Sequence, residues 1–204
     1  MYVPAKFTVE EEAAWQIVRD AGSGMLVVQS SQGMQSVFVP VLVSDDRRTM
    51  TSHLAKANPW WKELQPGDEV LALFLSASAY VSPSYYPSRF ENPGVVPTWN
   101  YVAAEVRGTV TLRPEKEWML EQVRAVTEQF ESPRTPMWRV EDSTKEYVEK
   151  QLSAIVGIEI AVTSIEGKAK LSQNRPDEDR LSVRENLAQG SLSEQGVASR
   201  MAAE

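Results

Sequence analysis

The hydrophobic positions of this chain change their period several times, and each change marks an element. Ala14, Ile17 and Val18 return at helical spacing, Thr8 followed by Glu11 reads as a capping box, and Gly22 stops the turn. These signals predict a helix over Thr8–Ala21. The runs Gly24–Gln29 and Gln35–Val43 are β-rich, and the polar stretch Ser30–Met34 between them contains Gly33, which predicts a hairpin. Ser44–Arg48 is turn material, and Thr49–His53 reads as a third short strand. Leu54–Leu64 holds good helix formers with Asn58-Pro59 as a local restart, and Pro66-Gly67 closes it. The apolar run Val70–Leu75 marks a buried strand over Glu69–Ser76, and Ala79–Ser82 continues or re-enters the sheet.

A long loop follows, Pro83–Pro97, with four prolines and the pair Tyr85 and Tyr86. Loops of this length are uncommon in compact domains unless they bind something or order at an interface. Thr98–Leu112 alternates as a long strand, with Val102, Ala104, Val106 and Gly108 on one face. Helices are expected from Pro114 through Phe130 and over Ser143–Leu152, and Ile155–Ile165 is the last strand by its β-branched content. A final helix runs from Pro176 to Leu187, and the segment after Gly190 reads as a weaker, fraying tail. Early hairpins with helices between later strands predict a mainly β, α+β fold, a small antiparallel barrel decorated by helices. Residues 1–190 are expected as one domain and 191–204 as its tail.

Composition narrows the function classes. The longest apolar runs fall far short of the roughly 20 residues a bilayer requires, so no membrane span is expected. Met1–Glu12 carries no basic-then-apolar leader, which places the protein in the cytoplasm. With no cysteine, disulfides, thiolate chemistry and Cys-ligated metals are excluded; with one histidine, so is a His-rich metal site. A net charge of -7 works against a grip on a phosphate backbone, so direct DNA binding starts with a handicap.

No Gly-rich phosphate loop, nucleophile elbow or paired-His motif is present. Three places concentrate unusual residues. Thr51–Trp61 ends a strand in hydroxyls and His53 and turns into a segment carrying Lys56 and Asn58, the donors and cation a phosphate needs. On the residues alone the commoner explanation is a helix cap at Thr51 and Ser52, a solvated lysine and a satisfied, partly buried His53. Ser78–Tyr101 gathers Tyr80, Tyr85, Tyr86, Trp99 and Tyr101 near Thr98 and Asn100, either the walls of a planar heterocycle site or an aromatic core cluster under the loop. Lys168–Arg180 places Lys170, Ser172, Gln173 and Asn174 at a strand end, where they contact a ligand or where Asn174 caps the final helix.

The blocks HLAKANPWWKEL (His53–Leu64), AYVSPSYY (Ala79–Tyr86) with VPTWNY (Val96–Tyr101), KLSQNRPDEDR (Lys170–Arg180) and the opening MYVPAKF resemble the PaiB family of FMN-binding negative transcriptional regulators. The resemblance runs from Met1 to about Leu187. It implies a split β-barrel of the pyridoxamine-phosphate-oxidase-like kind, a homodimer with FMN at the subunit interface. It further implies that Ser52, His53 and Lys56, with Asn58 beside them, hold the flavin phosphate. The backbone of Phe38, Val39 and Pro40 would flank the ring, Trp99, Asn100 and Tyr101 would line it, and Lys170, Ser172 and Gln173 would reach over to it. One departure is visible: the family often shows a Gly and a His just before AYVSPS, and here the stretch is Ser76-Ala77-Ser78-Ala79.

The resemblance implies two functions. The first is flavin-linked regulation of transcription, acting indirectly or through a partner, since no helix-turn-helix with a basic recognition helix is evident. The alternative is an FMN-dependent oxidoreductase, a flavin reductase or oxidase acting on a small molecule, in which the flavin supplies the hydride chemistry.

Overall fold

The computed structural model describes residues 1–30 and 33–202. Helix α1 (Glu11–Ala21) precedes the hairpin of β1 (Ser23–Ser30) and β2 (Gly33–Pro40), then β3 (Leu42–Val43), β4 (Thr49–Ala55) and β5 (Glu69–Val81). Strand β6 (Thr98–Arg113), helices α2 (Lys116–Glu131) and α3 (Lys145–Ser153), strand β7 (Ile155–Lys170) and helices α4 (Asp177–Ala188) and α5 (Leu192–Ala202) complete the order. The strands form one sheet in the order β2-β1-β5-β6-β7-β4-β3. The ladders β1-β2, β1-β5, β3-β4 and β4-β7 are antiparallel. This is the α+β, antiparallel split-barrel class that the sequence predicts.

Residue contacts divide the chain into two compact units. The first comprises Met1–Ala21, Phe74–Glu105 and Ile165–Glu204; the second, Gly22–Leu73 and Val106–Ser164. In the second unit β2 lies against β4, although they stand near opposite ends of the strand order, and Ser52 Oγ donates to the Pro40 carbonyl across 2.6 Å. The sheet therefore curls back on itself, which hides strand edges that would otherwise invite pairing with other chains. Leu26, Met50, Ala72, Val106 and Ile158 fill this unit, each buried. In the first unit, α1 presses Ala14, Trp15, Ile17 and Val18 inward, and α4 and α5 pack on each other with Val183, Leu187 and Val197 fully enclosed.

Several elements differ from the sequence reading, for identifiable reasons. Thr8 does not cap α1: it makes a β-bridge to Lys168, and its hydroxyl turns back to the Pro4 carbonyl. The expected helix over Leu54–Leu64 is absent, because β4 stays paired with β7 as far as Ala55↔Ile155 and uses Leu54 as a core residue. Beyond the strand the chain forms only a 3₁₀ turn at Pro59–Glu63, with Asn58 Oδ1 accepting the Trp60 N–H at 3.0 Å. Strand β5 is continuous through Ala77, and β7 runs five residues past Ile165 to Lys170. Pro176, not Asn174, stands at the cap position of α4. Leu192–Ala202, expected as a fraying tail, is helical because Val197, Ala198 and Met201 find a buried face. Of the hairpin turn predicted at Ser30–Met34, Ser31 and Gln32 lie outside the described residues.

Candidate functional site

In the second unit, β4 alternates strictly. Met50, Ser52 and Leu54 point to the buried face, while Thr51 and His53 share the other. Helix α2 covers that other face, and a glycine sets how closely. His53 pairs across the ladder with Gly157 on β7, and the Trp118 ring of α2 occupies the space a Cβ at Gly157 would need, with Cε3 2.7 Å from that position. Trp118 and Gln122 are four residues apart and so occupy one helix face. Trp118 on Gly157 thus brings Gln122 over His53, whose Nδ1–H donates to Gln122 Oε1 at 2.7 Å. Gln122 is only 5 % exposed, and its Nε2 is buried with no hydrogen-bond partner.

The remaining candidates of this unit are held locally. Ser52 is buried on Pro40, and Lys56 Nζ donates to the Ser153 carbonyl at 2.9 Å. Asn58 caps the short 3₁₀ turn, which is too brief to supply a helix macrodipole for an anion. Val39 is buried, while Phe38 and Pro40 are exposed. Phe38 is 64 % exposed although apolar, and it belongs to a row. Met25 is paired to Phe38 on one side and to Leu73 on the other, and these flanking residues share an open apolar face of β2-β1-β5.

In the first unit the structure joins two sequence signals that lie about seventy residues apart. Lys170 Nζ donates to Thr98 Oγ1 at 2.7 Å and to the Trp99 carbonyl. Asn100, fully buried, donates from Nδ2 to Ser172 Oγ at 2.9 Å and accepts from it at 3.3 Å. That exchange holds Ser172 at φ 66, a left-handed conformation rare for a residue with a side chain. Gln173 caps the end of β7 by accepting from Leu171 N–H and donating to Ala169 C=O, both at 2.7 Å. Tyr101 lies under the Lys168 ammonium, 5.2 Å from the ring centre.

Beside this network Trp99 is 56 % and Tyr80 46 % exposed, edge to face with centroids 6.0 Å apart. Burial, with repulsion from Lys168 and Arg175, pushes the Lys170 pKa below the ordinary lysine value. Among the described residues, the hydrogen-bond partners of Lys168 and Lys170 are carbonyls and a hydroxyl rather than carboxylates. Open aromatic faces beside such cations suit a flat anionic ligand.

Sequence reasoning missed Gln122 and Asp179. Gln122 stands in the stripe Met119, Gln122, Val126, and a polar residue on a buried helix face was the available signal. Asp179, fully buried in the first turn of α4, accepts the Ser88 N–H at 3.1 Å and its hydroxyl at 2.7 Å, tying down the proline-rich loop.

These features define a protein of the flavin-binding split-barrel class. Residues 1–164 match the sequence family described as "Putative FMN-binding domain". Over 190 residues the chain is 33% identical to "Protease synthase and sporulation protein PAI 2" of Bacillus subtilis (strain 168), covering 92% of this chain and 89% of that protein. The fold is shared with the FAD and heme binding protein from Mycobacterium smegmatis, at TM-score 0.62 and 16% identity over 91% of this chain and 81% of that one. A conserved hypothetical protein from Mycobacterium tuberculosis aligns at TM-score 0.61 and 14% identity over 86% and 94%. The chain belongs to this FMN-binding domain family and is a relative of the Bacillus PAI 2 protein, and FMN is the cofactor the family membership assigns.

The residues present fit that cofactor. In the first unit Lys170, held by a hydroxyl and a carbonyl, suits a phosphate, and the open aromatic pair Tyr80 and Trp99 suits a ring system. Among the described residues no helix is long and apolar enough to cross a membrane.

Proposed function

We propose that this protein is a cytoplasmic FMN-binding homodimer that regulates transcription in response to flavin, indirectly or through a partner rather than by gripping DNA. The observation that carries the reading is the pairing of open aromatic faces with uncompensated lysine at Trp99, Tyr80 and Lys170, in a chain whose net charge of -7 repels nucleic acid. The cofactor contacts we assign are Phe38, Val39, Pro40, Ser52, His53, Lys56 and Asn58 in one unit. Trp99, Asn100, Tyr101, Lys170, Ser172 and Gln173 are those in the other. The apolar row Phe38, Met25 and Leu73 supports a second copy as the dimer partner, because contiguous exposed apolar patches on a sheet mark interaction surfaces.

Purified protein titrated with FMN should shift the flavin absorbance and quench its fluorescence, and sedimentation should give a dimer. A protein that takes up no FMN, or one that stays monomeric, sinks the corresponding half of the reading. Gel shifts at low salt should show no retardation of duplex DNA; salt-sensitive retardation would establish direct contact instead.

The second reading, an FMN-dependent oxidoreductase, is favoured by Lys170. A cation held near a flavin tunes its electronics toward the reduced form, and bound FMN would supply the hydride chemistry that the side chains lack. Anaerobic bleaching of bound flavin by NADH or NADPH would favour this reading, and inert flavin would leave regulation alone.

A further inference from the structure

We propose that the helical pair between β6 and β7 carries a second ligand site, a cavity between α2 and α3 that takes a small zwitterion with an apolar body: a free amino acid or a dipeptide with aliphatic side chains. The site does not depend on the flavin reading, and its residues all belong to the second unit.

Helical spacing builds the cavity. Lys116, Glu117, Leu120 and Arg124 fall on one face of α2, and Lys145, Val148, Glu149 and Leu152 fall on one face of α3. Together with Val140 and Glu141 of the 3₁₀ turn Val140–Asp142, these faces line a half-open cavity of about 470 Å³. That volume lies toward the small end of small-molecule sites. Val140 and Leu152 are buried while Leu120 and Val148 are half-buried, so the protein itself covers its apolar lining only in part. Trp118 and Gln122, which face β4, lie on the opposite side of α2 from Leu120 and Arg124. The cavity accordingly shares no residue with the assigned flavin contacts.

Charged side chains of both signs surround the apolar lining. Four of them close on one another: Arg124 donates to Glu141 at 2.7 Å, and Lys116 stands 3.7 Å from Glu149. The other two, Lys145 and Glu117, have no ion-pair or hydrogen-bond partner among the described residues. This leftover pair selects the ligand. A simple carboxylate would meet Lys145 but also the like charge of Glu117, and a simple amine would meet Glu117 but also Lys145, so each is rejected by one of the two. A molecule with both an ammonium and a carboxylate answers both residues and leaves the charge of the cavity unchanged. Its aliphatic side chains then cover Leu120, Val140, Val148 and Leu152.

Calorimetric titration of the whole protein with L-leucine and with L-leucyl-L-leucine tests the site and separates the two sources of such a zwitterion. At least one of them should bind saturably. The same compound N-acetylated, which removes its cation, or amidated at the carboxylate, which removes its anion, should bind about tenfold to a hundredfold more weakly, the effect of losing a hydrogen bond to a charged group. Two variants should erase these preferences one at a time. Lys145→Met should bind the compound and its amide alike, and Glu117→Gln should bind the compound and its N-acetyl form alike. Both positions are exposed, so both variants should keep the urea midpoint of wild type.

Binding of neither compound overturns the proposal. Blocked forms that bind as tightly as the free one, or variants that keep the wild-type preferences, overturn it equally. The zwitterion pattern in a protein that takes up no FMN upholds this site and removes the flavin reading alone.

Discussion

The two units handle polar groups in opposite ways. In the first, the network around Lys170, Asn100 and Ser172 is closed: donors and acceptors meet within the protein, and the surfaces left open are the aromatic faces of Trp99 and Tyr80. In the second, the His53–Gln122 pair is left half finished: among the described residues the buried Gln122 amide has no acceptor. A closed network fixes shape and stacking surface at little cost. An open one leaves a donor stranded and costs stability.

The largest effect should come from opening another closed contact of the first unit, the one between Asp179 and Ser88. Asp179→Ala removes a fully buried carboxylate and leaves the Ser88 N–H and hydroxyl without their acceptor. Losing hydrogen bonds to a charged group, with donors stranded, should cost about 3 kcal/mol. Urea denaturation checks it, and Asp179→Asn, which retains one oxygen acceptor, should recover part. A cost under about 1 kcal/mol would mean that the loop is not held by this carboxylate.

The second effect lies at Gly157, and it tests whether the half-finished pair depends on close approach of α2. A methyl at Gly157 would stand 2.7 Å from Cε3 of the Trp118 ring and 2.8 Å from the Arg113 carbonyl, so the helix or the strand must move. Gly157→Ala should destabilise the protein by about 1–3 kcal/mol through overpacking. It should also release His53 from Gln122, visible as a change in the ring ¹⁵N shifts. A variant as stable as wild type with an unchanged His53 signature would show that Trp118 yields easily and that α2 is not set by this contact.

How much of this was legible beforehand depends on what each element obeys. The alternation of Val102, Ala104, Val106 and Gly108 on β6 is a local rule and reads directly from the chain. Leu54–Leu64 has helical composition, but the tertiary pairing of β4 with β7 overrides it, and no local pattern contains that ladder. The tail after Gly190 looked weak because its apolar residues are few, yet Val197, Ala198 and Met201 are enough once a partner surface exists. Lys170, Ser172, Trp99 and Asn100 were recognisable as unusual residues, but their joining needs β6 and β7 side by side. Gln122 was invisible as chemistry because its meaning comes from His53, sixty-nine positions away.

The smallest effect concerns the charge in the closed network and has a definite sign. Burial first, then Lys168 and Arg175, holds the Lys170 pKa below its ordinary value of 10.5. A lysine whose pKa is lower in the fold than in the unfolded chain binds its proton more weakly there. It therefore penalises the folded state fully below the folded value, and the penalty fades as pH rises through that value and is gone above 10.5. As pH rises toward 10.5, wild type should gain stability relative to Lys170→Met, by less than about 1 kcal/mol because the group is partly solvated. Thermal melts of the two proteins across that range measure the difference directly. A bound anion beside Lys170 would restore its pKa and flatten the trend, so melts repeated with saturating FMN should show a smaller slope. A slope of opposite sign in the free protein would mean that a carboxylate compensates Lys170 after all, and the first unit would then have no charge to offer a ligand.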